Sequence, residues 1–181
     1  MIKNESFVKI KEYIPEILIE LKYATKDNFT GEIIYDFDEA YLRYGTVKKL
    51  AEVQRILKEQ GYLIKVWDAF RPVEAQFKLW EVCPDETFVA NPVTGYSSHS
   101  RGNTVDITLT DLEGGYIEMP TEFDDFSEQS KRAYIGVSEE GKKNSLLLER
   151  IMEECGFEPY KNEWWHFSDK TEYPVEKGFR P

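Results

Sequence analysis

The sequence predicts an α+β fold, and three observations carry that prediction. Apolar residues recur at helical spacing in three stretches, cluster or alternate at strand spacing in others, and the two kinds interleave along the chain. Aliphatic, aromatic, Met and Cys residues make up 41% of the 181 positions, enough for a sizeable core. No repeat, low-complexity tract or linker divides the chain, which predicts one domain over residues 1–181.

The elements follow in order. Phe7 to Ile10 and Ile17 to Leu21 are apolar runs compatible with strands, and a loop rich in Tyr, Asn and Thr ends at Gly31. In TVKKLAEVQRILKEQG, residues Val47, Leu50, Ala51, Gln54 and Leu57 recur at helical intervals, with Gly61 as terminator. Tyr62 to Trp67 reads as a strand. Phe70-Arg71-Pro72 then turns the chain into a second helix, whose first turn suits Pro72 because its missing amide has no intrahelical partner there. Ala75, Leu79 and Val82 share one face of that helix, and Pro84 stops it. Residues 84 to 100 form a long loop, a length that usually goes with a task. Thr104 to Thr108 is the clearest strand: Val105, Ile107 and Leu109 alternate with Thr104, Asp106 and Thr108. Gly114-Gly115 offers a turn before the acidic EFDDFSE segment. A last helix, starting near Asn144, uses Leu147, Leu148, Ile151, Met152 and Cys155 and stops at Gly156. EWWHF reads as a short strand, and the terminal KGFRP as peripheral.

Charge and composition exclude several classes. Lys and Arg number 23 against 34 Asp and Glu, a net −11, which argues against a broad phosphate-binding surface and hence against nucleic acid. There is neither a secretory signal pattern nor a stretch of about 18 apolar residues, so the expectation is a cytoplasmic protein with no membrane partner. Cys83 and Cys155 read as two buried free thiols rather than a disulfide. Only two histidines are present, so a site needing two imidazoles must use both.

In SSHSRGNTVDITL, His99 precedes Asp106 by seven residues, across a glycine able to make a tight turn. Imidazole nitrogen and carboxylate oxygen are both good zinc ligands. In NEWWHF, Glu163 precedes His166 by three. Taken singly, each motif also fits a plain reading: a surface loop with an exposed aspartate, or a core edge where Trp164, Trp165 and Phe167 pack. Together, His99, Asp106 and His166 make the three protein ligands of a catalytic zinc with one position left for water. Glu163 then remains as general base. Strand alternation would put Glu163 and His166 on opposite faces, so Glu163 is placed in the connection before the strand. Arg71, between strand and helix, can grip a substrate carboxylate or stabilise an oxyanion, or else pair with Asp68.

SSHSRGNTVDITL, DAFRP and EWWHF, with the early KYATKDNFTG, together resemble the zinc D-alanyl-D-alanine dipeptidases of the VanX type. These belong to a wider group with zinc DD-carboxypeptidases and the metal-binding domain of Hedgehog proteins. The likeness runs from about residue 7 to residue 175, although the segment between Trp80 and Tyr96 is shorter than usual there. The resemblance implies a central antiparallel sheet flanked by helices and a small enclosed site. It also implies one Zn2+ on His99, Asp106 and His166, with Glu163 as catalytic carboxylate and Arg71 supporting the transition state. Tyr23, Ser97 and Asp124 would hold the ends of a short substrate. The residues themselves also offer Asp68 and Ser98 as hydrogen-bonding partners behind the site. Before the resemblance, Tyr23 reads equally as packing, Ser97 as a loop hydroxyl and Asp124 as a solvated acid.

The function so implied is zinc-dependent hydrolysis of D-alanyl-D-alanine or a related small D,D-peptide, in vancomycin-type resistance or in recycling of wall fragments. A DD-carboxypeptidase trimming longer peptidoglycan peptides is the nearest alternative, and a zinc-dependent binding protein a remoter one. A homo-oligomer is left open.

Overall fold

A computed structural model describes residues 2–86 and 88–181. The chain runs through β1 (Phe7–Lys9), α1 (Ile10–Tyr13), β2 (Leu18–Ile19), β3 (Tyr41–Arg43) and α2 (Tyr44–Glu59). It continues through β4 (Leu63–Asp68), α3 (Val73–Val82), β5 (Thr104–Thr110), α4 (Glu139–Glu154), β6 (Phe157–Pro159) and β7 (His166–Asp169). Short 3-10 turns lie at Lys22–Ala24, Ser98–Arg101 and Glu128–Ser130. Five strands form the main sheet in the order β2-β4-β5-β7-β6, antiparallel except for the parallel β2–β4 pair. β1 and β3 make a separate antiparallel pair. The fold is α+β, with a mostly antiparallel central sheet and flanking helices.

The core follows from periodicity. Val47, Leu50, Val53 and Leu57 on α2 are fully buried, as are Leu148, Ile151 and Met152 on α4. They join Ile64 and Val66 of β4 and Val105, Ile107 and Leu109 of β5 in one apolar cluster. Each such side chain contributes roughly 1.5–3 kcal/mol on burial. Gln54 lies in the same stripe because its amide pins helix to strand, accepting from Ile64 N at 2.8 Å and donating to Tyr62 O at 3.4 Å. β5 is buried along both faces, including Asp106 at 2% exposure, so the reading of that residue as an exposed aspartate is overturned.

Several boundaries differ from expectation, each for a local reason. Ile10 opens α1 instead of ending a strand. α4 begins at Glu139, five residues before Asn144, because Ser138 caps it by accepting from Gly141 N and Glu139 and Glu140 supply acid to the first turn. Val82 is 52% exposed, since α3 ends there and turns its last residue to solvent. Both cysteines are free but only half-buried. Within EWWHF only His166 and Phe167 are in the strand; Trp164 and Trp165 precede it and are buried core. The C-terminal tail is less peripheral than expected, because Phe179 stacks on Phe7 at 4.3 Å and Arg180 pairs with Glu74. Among the described residues, no helix is long and apolar enough to cross a membrane.

Candidate active site

The site is built where β5 is flanked by β4 and β7. Asp106 faces Asp68 across one ladder and His166 across the other. Directly opposed residues in a sheet point to the same face, so this register sets Asp106 and His166 side by side. His99 arrives from the Ser98–Arg101 turn, which Gly102 closes in the left-handed region at φ 75°. Glu163 lies in the turn before β7, free of strand alternation.

Hydrogen bonding orients the two imidazoles differently. His99 Nδ1 lies 2.8 Å from Ala69 O, which can only accept, so this nitrogen carries the proton. The lone pair of Nε2 is thereby aimed at Asp106 Oδ2, 3.2 Å away. His166 presents the other nitrogen: Nδ1 is 3.0 Å from Asp106 Oδ1 and 3.4 Å from Glu163 Oε2, while Nε2 is 3.3 Å from Ser98 Oγ.

Donor atoms from His99, Asp106 and His166 all lie within 4.8 Å of one another. His99 Nε2 and Asp106 Oδ1 are nevertheless buried with no properly aligned hydrogen bond. Close approach without alignment means that their lone pairs converge on common space rather than on each other's protons. Two imidazole nitrogens and a carboxylate match a three-ligand zinc site, so these residues fit that ion. Burial would raise the Asp106 carboxyl, but the neighbouring imidazoles outweigh it and hold the group below the usual carboxylate range. Burial pushes Glu163 up to about 7, opposed by His166 and assisted by Asp106.

Arg71 is held from behind. Its Nε and Nη2 donate to Asp68 Oδ2 at 3.1 and 2.6 Å, and its Nη1 donates to Gln76 Oε1 at 2.8 Å. Asp68 Oδ1 accepts from Tyr35 OH at 2.7 Å and Ala69 N at 2.9 Å, so this fully buried carboxylate is completely satisfied. Burial would lower Arg71, yet Asp68 keeps the guanidinium firmly protonated. Its Cζ lies 5.2 Å from the centre of the Tyr23 ring.

Across the cavity, Tyr23 OH donates to Asp124 Oδ2 at 2.6 Å. Burial lifts Asp124 to about 7, against the hydrogen bond from Tyr23. A cavity of about 420 Å³ brings Tyr23, Arg71, Ser97, Ser98, His99, Asp106, Asp124, Glu163 and His166 to one surface. Asp68 alone of the sequence-predicted residues stands behind that surface. Ser97 Oγ accepts from His99 N at 3.3 Å, fixing the histidine turn.

Sequence reasoning missed Tyr35, Gln76 and an aromatic wall of Phe29, Phe88 and Phe126, whose rings meet at 5.3 and 4.5 Å. Gln76 left a trace, being a polar residue beside Ala75 on the helix face that also buries Leu79. Tyr35 and the wall left none, because they come from loops far apart in sequence.

A family model described as D-Ala-D-Ala dipeptidase matches residues 3–179. The chain is 36% identical over 177 residues to a D-alanyl-D-alanine dipeptidase of Escherichia coli (strain K12), covering 97% of this chain and 91% of that one. It is 33% identical over 189 residues to the D-alanyl-D-alanine dipeptidase of Enterococcus faecium, covering 93% and 94%. A third, from Enterococcus faecalis, is 31% identical over 184 residues and covers 91% of each.

Proposed function

The chain belongs to the D-Ala-D-Ala dipeptidase family, and on that premise we propose that it hydrolyses D-alanyl-D-alanine to two D-alanines with one zinc ion. The observation that carries this reading is the convergence of His99 Nε2, Asp106 and His166 Nδ1 beside Glu163 and Arg71 in one cavity. Those three residues would hold the zinc, which when bound supplies Lewis acidity toward a water and a peptide carbonyl.

The remaining work falls to the protein's own groups. Glu163, raised toward neutrality, takes a proton from the attacking water and later returns it to the departing amine, so the C–N bond breaks without an acyl-enzyme. Arg71, locked by Asp68, turns its remaining donors toward the carbonyl oxygen as negative charge develops there. Asp124, steadied by Tyr23, meets the substrate ammonium, and the Ser97 hydroxyl the carboxylate end. Ser98 holds the outer nitrogen of His166. The cavity lies at the small end of ligand pockets, which run roughly 300–1,000 Å³, as a dipeptide requires.

The test is D-alanine release from D-Ala-D-Ala, L-Ala-L-Ala and a pentapeptide ending in D-Ala-D-Ala, alongside the zinc content of wild type and Glu163→Gln. Selective dipeptide cleavage is expected, with kcat down roughly 10²–10⁴-fold in the variant and zinc retained. An active, zinc-bound Glu163→Gln protein refutes the base assignment. Release from the pentapeptide alone makes the protein a carboxypeptidase, and zinc binding without any hydrolysis makes it a binding protein.

A further inference from the structure

Gln76 stands between the arginine of the site and the loop that walls the cavity. The side chain is 1% exposed, on the first turn of α3. Its Oε1 accepts from Arg71 Nη1 at 2.8 Å, and its Nε2 donates to Ala90 O at 2.7 Å. The orientation is chemically forced: a guanidinium only donates and a carbonyl only accepts, so a flipped amide would break both bonds. Ala90 belongs to the segment between α3 and the Ser98 turn, the segment that also gives Glu86, Phe88 and Val89 to the cavity wall. Asp68 holds the other edge of the guanidinium through Nε and Nη2. One buried amide therefore joins the charge facing the reacting carbonyl to the wall that encloses the substrate.

We infer that Gln76 is a positioning residue whose amide couples the placement of the wall at residues 88–90 to the aim of Arg71. Movement of the wall at Ala90 shifts the amide, and the amide shifts the guanidinium. A wall packed correctly around a substrate thus steadies Arg71 at the same moment. This inference rests on the role proposed above for Arg71, and the experiment separates the two.

Two variants cut the link at different points. Gln76→Glu keeps the shape and the bond from Arg71 but sets a second acceptor against Ala90 O, so it cuts the link at the wall. Gln76→Met keeps the length and loses both bonds. For Gln76→Glu, the expected result is a KM raised about tenfold together with a kcat lowered about threefold or more, because a wall cut loose no longer steadies Arg71. Backbone amides of residues 84–97 should exchange faster with solvent in the same protein. For Gln76→Met, kcat should also fall about tenfold or more, since a charge-assisted bond to Arg71 is lost. Zinc content should stay at the wild-type level in both. A wild-type kcat in Gln76→Glu, or unchanged exchange over residues 84–97, would overturn the coupling whatever the melting temperatures. Arg71→Lys is the control. If it leaves kcat unchanged, the reading of Arg71 fails; if it lowers kcat while the Gln76 variants behave as wild type, only the coupling fails.

Discussion

Replacing Asp68 by Asn probes the support beneath the site. The carboxylate has no exposure and takes four hydrogen bonds, two of them from Arg71, which is itself 8% exposed. In the amide, one oxygen can still serve Tyr35 and Ala69, but the nitrogen then points its hydrogens at the guanidinium. Arg71 is left as a buried cation that has lost its carboxylate partner. Breaking a buried ion pair from one side costs about 3–5 kcal/mol. For 181 residues, an unfolding entropy of about 2.1 cal/mol/K per residue gives a melting temperature lower by about 8–13 °C. Calorimetry on wild type and Asp68→Asn at one pH and one zinc concentration measures it. Removing both charges, as Asp68→Leu with Arg71→Met, should cost less than the sum of the two single changes, because neither partner is then stranded. A fall of under about 2 °C for Asp68→Asn, on the same scale, would refute the claim that this carboxylate carries Arg71.

Two further outcomes follow from the geometry. Burial raises Asp124 to about 7, so the folded protein binds a proton that the unfolded chain releases near its ordinary value of about 4. Its contribution to stability is therefore whole below about pH 4 and lost as pH rises through 7. In metal-stripped protein, Asp124→Asn should raise the melting temperature more at pH 8 than at pH 5, and an equal change at both would contradict the raised value. The variant tolerates the site's φ of 53°, since asparagine enters the left-handed region readily. Gly102→Ala puts a methyl group against the Phe7 ring at a φ of 75°. It should destabilise by about 2–4 kcal/mol in urea unfolding and lower zinc occupancy through the His99 turn; unchanged occupancy would detach that turn from the metal site.

What could be read from sequence was what local periodicity records. The stripe of α2 and the alternation of β5 were legible because one buried face repeats along each. The chain position of Glu163, outside the strand that begins at His166, followed from alternation together with the need for both residues to approach one metal. β3 and β6 were not legible, since three residues are too few to show a period. The start of α4 was obscured by Gly141, a poor helix former that is needed because a Cβ there would crowd the backbone of Met119. The pairing of Tyr23 with Asp124 spans 101 residues, and nothing in either local stretch announces the other. Gln76 showed only as a polar residue in an apolar series, and its two partners appear only when helix and loop are in place.

The division of labour between sheet and loops has a consequence for how such a protein changes over time. His99, Asp106 and His166 hang on the β5–β7 register and one short turn, whereas Phe29, Phe88, Asp124 and Phe126 hang on loops. An insertion or deletion within a loop leaves strand pairing alone, while a one-residue slip in β7 carries His166 to the opposite face. Mutation in those loops can therefore reshape the cavity walls while the pairing that sets Asp106 beside His166 stays in register.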